Sequence, residues 1–226
     1  MILKERWNNV CRKLKIPANL VDEYWMTIQT KYSESHRYYH TLKHLEDMFI
    51  HYDDIYDQLQ SPVLVALAIF FHDIIYEPKR PDNEEVSAEL FKKFAEIFDA
   101  ETLDKYSPQT VYDWIIATKK HETEVHRSPD VFGTDDIHYF LDMDMSILGV
   151  NEDDYKVYAD RIRQEYIHIP EDIFKHRRAQ VLRSFLQIQN IYATEIFRTK
   201  HEQRARSNIE AEITRLESTR LEDKVA

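Results

Sequence analysis

Glycine is almost missing: the 226 residues contain two, Gly133 and Gly149. Tight hairpins and left-handed turns rely on glycine, and phosphate-cradling loops need it so that backbone amides can approach the anion. P-loop and Rossmann-type nucleotide sites are therefore excluded, and an all-helical chain is expected. Cysteine is reduced to Cys11, which excludes an internal disulfide or a thiolate metal cluster and leaves nothing that calls for an oxidising compartment. No stretch approaches the roughly 18 apolar residues of a membrane span, and MILKERWNNVCRKLKI is interrupted by charge where a signal sequence would be apolar. Basic residues are outnumbered, giving a net charge of -11. Such a surface repels nucleic-acid duplexes while leaving room for a local basic pocket. The expectation is a cytoplasmic protein with no membrane partner.

What is present is helical periodicity. Apolar residues at three- and four-residue spacing predict helices before Pro17, over 20–32, over 38–56, and from Ser61-Pro62 through VLVALAIFFHDIIY to a stop at Pro78 and Pro81. Further helices are expected near 83–98, 108–121, 136–148, 151–167 and 171–199, the last one broken. The polar segment 121–136 reads as a loop. The run from Val63 is apolar all round and belongs at the centre of a bundle. One core is the simplest reading, so residues 1–226 are expected to form a single domain.

The residues that carry chemistry lie in RYYHTLKH (37–44) and IFFHDIIY (69–76). On a helix, His40 and His44 are one turn apart and Arg37 precedes them by another turn. His72 and Asp73 close an apolar run, where an unpaired carboxylate costs several kcal/mol unless a cation offsets it. In FLDMDMSILG, Asp142 and Asp144 interrupt a second apolar pattern, so either is a candidate for the remaining carboxylate. Two imidazoles and two carboxylates suit a divalent metal: Mn, Fe, Ni, Co or Zn, and also Mg.

The ordered H, HD, D pattern resembles the signature of the HD-domain superfamily of metal-dependent phosphohydrolases, and YHTLKH is similar to a segment of its cyclic-nucleotide phosphodiesterase branch. The likeness to the group described as predicted metal-dependent HD-superfamily phosphohydrolases extends further. It takes in RxYHxxxH, HDxxY, NEEVSA, the TxxH at 118–121, DxDxSILG, IRQEY and ARSN. The resemblance implies an all-α, single-domain bundle of the HD-domain type, with a motif core at 37–149 and C-terminal helices at 151–222. It implies His44, His72, Asp73 and Asp144, rather than Asp142, as metal ligands and His40 as proton donor. By analogy with dinuclear members, His121 is a candidate ligand for a second metal, and His126 a weaker one. No motif supports the purine-gripping glutamine of the phosphodiesterases, so cyclic-nucleotide specificity is not carried over.

Three further assignments complete the expectation. Glu84 is a candidate to accept a hydrogen bond from metal-bound water or a ligand histidine. Arg37, Arg161 and Arg177 are candidates to clamp a phosphate in bidentate fashion. The expected activity is metal-dependent hydrolysis of a small phosphate ester, possibly a nucleotide, with Asp73 orienting the attacking water and His40 protonating the leaving oxygen. The alternatives are a di-iron oxygenase of the same superfamily, which needs His121, and a non-catalytic metal-stabilised sensor or binding module. No oligomeric state is implied.

Overall fold

A computed structural model of the chain describes residues 2–222. The described residues contain α-helices and no strand. The helices are α1 Leu3–Lys13, α2 Ala18–Lys31, α3 Leu42–Asp54, α4 Pro62–Phe71, α5 Asn83–Ala95, α6 Ala100–Lys105, α7 Pro108–Ala117, α8 Glu124–Arg127, α9 Asp136–Met145, α10 Glu152–Glu165, α11 Glu171–Gln187 and α12 Glu195–Glu222. None is long and apolar enough to cross a membrane among the described residues. The chain divides into two compact units. The first takes Met1–His121 and Asp135–Met143; the second takes Glu122–Thr134 and Asp144–Ala226.

In the first unit α4 is the central helix, touching α1, α3, α5 and α7. Every side chain from Val63 to Phe71 is buried, which is why the run is apolar on all faces. Each of its larger aliphatic and aromatic side chains contributes about 1.5–3 kcal/mol by leaving water. Around its C-terminal half sits an aromatic cluster. Trp7 packs 5.3 Å from both Phe70 and Phe94, and Phe71 lies 5.3 Å from Phe91 and Phe94, in edge-on, tilted and stacked arrangements. The N-terminus of α4 is closed from a distant part of the chain. The buried Asp136 carboxylate accepts the backbone N–H groups of Gln60 at 2.7 Å and Ser61 at 2.6 Å, a capping role that satisfies donors the helix cannot.

Two boundaries depart from the periodicity. α3 starts at Leu42, with Thr41 extended at φ -118° and ψ 179°, so residues 37–41 form turns and not a first helical turn. α4 ends at Phe71, well before the prolines, and HDIIYE continues as irregular backbone.

In the second unit α12 packs on α10, α11 and the 3-10 turn Ser146–Gly149. The stripe Ile209, Ile213 and Leu216 is buried as its spacing predicts. The Glu212 side chain is 3% exposed and receives Arg178 from α11 at 3.0 Å and the Tyr155 hydroxyl from α10 at 2.6 Å. One buried carboxylate thus joins three helices. The expected break in 171–199 is the irregular segment 188–194. Glu202 accepts the N–H groups of Ile191 and Tyr192 there, and Arg206 donates to the carbonyls of Leu186, Ile188 and Gln189. Asn208 of the ARSN motif donates to the Leu148 and Val150 carbonyls, 2.9 Å each. Gly149 is needed for close approach: a Cβ there would lie 2.6 Å from the His201 Cβ. The region 121–136, expected as a loop, contains the short α8, whose His126 takes the Thr123 N–H on Nδ1 at 3.0 Å.

Candidate metal centre

A helix that stops early leaves carbonyl groups without partners, and here side chains supply the donors. Arg37 donates to the Asp73 carbonyl at 2.7 Å and to that of Ile74 at 3.0 Å. Ser87 Oγ accepts the Ile75 N–H at 3.1 Å and donates to the Ile75 carbonyl at 3.2 Å. His36 Nε2 donates to the Tyr76 carbonyl at 2.7 Å. Asn83 binds both the N–H and the carbonyl of Glu77, each at 3.0 Å. Every carbonyl from residue 73 to 77 is held by a side chain, and that harness presents His72 and Asp73 in one fixed attitude. Asn83 and Ser87 both come from NEEVSA, so this motif fastens the loop that follows HD.

His72 is 1% exposed, and its Nδ1–H donates to the Ile69 carbonyl at 2.9 Å. In the neutral ring this leaves the Nε2 lone pair facing inward, the orientation a metal-ligating imidazole takes from its outer partner. His44 Nε2 lies 3.2 Å from His72 Nε2. Two nitrogens bound to one ion at about 2.0–2.1 Å are roughly 2.9–3.4 Å apart for octahedral to tetrahedral angles, so the pair has ligand spacing. Asp73 Oδ2 is also 3.2 Å from His72 Nε2, and 3.8 Å from His40 Nε2.

The last element is α9. Phe140 packs edge-on to His72 with ring centres 5.9 Å apart. Asp144 is one turn further on the same face of that continuous helix, so α9 carries it toward the histidines. His44, His72 and Asp144 each offer a ligand atom, all within 4.8 Å of one another. Electron-pair donors converging at such distances repel unless a cation or proton lies among them, and a dication satisfies the whole set. Asp142, although 1% exposed, is not in this group.

His40 is outside α3 but reaches the same place: its ring stacks on Tyr76 at 4.0 Å and lies 6.0 Å from that of His44. The expected helical register is thus replaced by a turn that brings the imidazole to Asp73. His121 closes α7 in the left-handed region, at φ 50°, its N–H on the Ala117 carbonyl. It is half-buried and not part of the three-residue group. Glu84 is half-buried in the first turn of α5 and makes no hydrogen bond to His40, His44, His72 or Asp73.

The phosphate-clamp role expected of Arg37 meets a different arrangement. Its five N–H groups go to Glu34, twice, and to the carbonyls of His40, Asp73 and Ile74. Its side chain is 0% exposed, so no donor is left for substrate. Arg161 and Arg177 lie on exposed faces of α10 and α11 in the second unit. The arginines beside them are absorbed by the protein, Arg163 by Glu171 and two carbonyls and Arg178 by Glu212. Burial pushes the Cys11 thiol up to about 12, away from the thiolate form that makes cysteine nucleophilic. In comparisons with family models, curated proteins and solved structures, nothing matches this chain.

Proposed function

We propose that the chain is a metal-dependent phosphohydrolase of the HD type, acting on a small phosphate ester such as a nucleotide. The observation that carries this reading is the His44–His72 pair, with Nε2 atoms 3.2 Å apart and the His72 tautomer set by Ile69. His44, His72 and Asp144 would hold the ion, with Asp73 beside it. Bound there, a divalent cation supplies a water of lowered pKa and neutralises charge on a phosphoryl oxygen.

The chain's own groups do the rest. Asp73 Oδ2 stands between His72 and His40, where it orients the attacking water through a hydrogen bond. His40 is partly exposed, with a side chain at 19%, and the Tyr76 stack steadies its ring without using its nitrogens. An imidazole so placed gives a proton to the departing oxygen, a contribution of about 10² to 10⁴ in rate. The harness on residues 73–77 keeps both groups in register without help from the substrate.

The test combines elemental analysis with a screen of phosphate monoesters and diesters in several divalent metals. Metal co-purifying with wild type and with His40→Ala, but lost in His44→Ala and His72→Ala, is expected. Hydrolysis should fall about 10² to 10⁴ in His40→Ala. Bound metal with no turnover of any ester would replace this reading with that of a metal-stabilised binding module.

A further inference from the structure

The first unit has two adjoining clefts at the N-terminal end of α4. They have volumes of about 430 and 460 Å³ and share Lys13, Tyr56 and Val63. Together they are large enough for a small organic ligand. HDIIYE lies at the other end of α4, about 15 Å away for a ten-residue helix.

The charge of these clefts runs against that of the protein. The chain carries 41 acidic and 30 basic residues, yet Lys13 and Lys105, both exposed, have no carboxylate within ion-pair distance among the described residues. Lys13 donates to the Tyr56 hydroxyl at 3.3 Å, and the Lys105 ammonium sits 5.1 Å from the Tyr106 ring. Each keeps N–H donors for an incoming group. Arg12 adds a third cation, and among the described residues its side-chain partner is Asn9. The fourth basic residue, Arg6, is consumed by the one lining carboxylate, Asp53, and lies 4.9 Å over Phe49. The Gln60 and Ser61 N–H groups just before the helix are already taken by Asp136. Recognition therefore falls to side chains: ammonium groups and tyrosine hydroxyls for an anion, and Tyr56, Tyr106, Pro62 and Val63 for an apolar or ring portion.

We infer that these clefts bind a small organic phosphate at a site separate from the metal centre. Phosphate is the anion that two ammonium groups and neighbouring hydroxyls satisfy together, and the tyrosines favour one that carries a ring.

Calorimetric titration of ATP into chelator-treated protein at low salt tests the site without using the metal centre. Saturable binding is expected, unchanged in His44→Ala and weakened about tenfold or more in Lys13→Gln with Lys105→Gln. Both lysines are exposed, so the double variant should keep the wild-type circular dichroism and melting curve. Adenosine should not bind, and inorganic phosphate should bind more weakly than ATP. Absence of saturable ATP binding overturns the inference, as does equal affinity in the double variant, loss of binding in His44→Ala, or equal binding of adenosine. Co-sedimentation with phosphatidylserine vesicles in place of ATP binding would assign the lysines to a lipid surface and overturn it too.

Discussion

Replacing Arg37 with lysine separates two roles that residue type alone cannot distinguish. The buried guanidinium serves Glu34 and three carbonyls at 2.7–3.2 Å. An ammonium has three donors on one atom and cannot span Glu34, His40 and the Asp73–Ile74 pair at once. At least two acceptors would lose their partner, each costing about 1–3 kcal/mol when buried. Arg37→Lys should therefore destabilise the protein by about 2–6 kcal/mol, a drop of roughly 4–24 °C in Tm at about 2–4 °C per kcal/mol. Release of the Asp73 and Ile74 carbonyls also loosens His72 and Asp73, so metal content should fall as well. Calorimetry and elemental analysis on the purified variant read both effects. Wild-type stability and metal content together with a tenfold rise in KM would refute the argument and return Arg37 to the role of substrate clamp. Acid probes the same junction. Burial works to raise the Glu34 pKa, but the Lys31 hydrogen bond and the Arg37 charge outweigh it and hold the carboxyl below its usual range. A depressed folded pKa stabilises the protein above the unfolded value of about 4.3 and is lost as pH falls through the folded value.

Glu212→Ala should cost about 3–5 kcal/mol, because it leaves Arg178 buried and uncompensated; urea unfolding measures it, and a loss under about 1 kcal/mol would show that the three-helix junction is dispensable. His138 and His201 are held below the ordinary histidine pKa, first by burial, with Asp135 and the Gly149 carbonyl pulling the other way. The folded protein then binds fewer protons than the unfolded chain, so stability is full above about 6.5 and declines as pH drops through the folded values. Melting temperature should fall between pH 8 and pH 5, and His201→Asn should flatten the slope; a rise on acidification would contradict the assignment.

The helical class and the central place of α4 were legible because both follow from patterns that burial enforces. Few glycines exclude tight turns, and an apolar run polar on no face has to be surrounded. The stripe Ile209, Ile213, Leu216 was readable for the same reason. The start of α3 and the end of α4 were not, because periodicity continues past both. RYYH keeps helical spacing while its backbone turns, and IIY looks like more helix. What stops α4 is a set of donors from Arg37, His36, Asn83 and Ser87, distant in sequence and near only in the fold.

The same contrast explains which parts of the site could be read. A charged or polar residue in an apolar stretch signals that something offsets its burial, and His72 gives that signal; Arg37 and Glu212 are buried too, in stretches that are not apolar. The signal does not say what supplies the offset. For Arg37 and Glu212 the protein supplies it, with each guanidinium donor on a protein acceptor and the carboxylate between Arg178 and Tyr155. For His72 one nitrogen is satisfied by Ile69, while the other faces His44 and Asp73, which are themselves electron-pair donors. His44, His72 and Asp144 bring ligand atoms within 4.8 Å of one another, a convergence that the fold supplies. That convergence rests on the fold and on hydrogen-bond direction, which spacing along a chain does not encode.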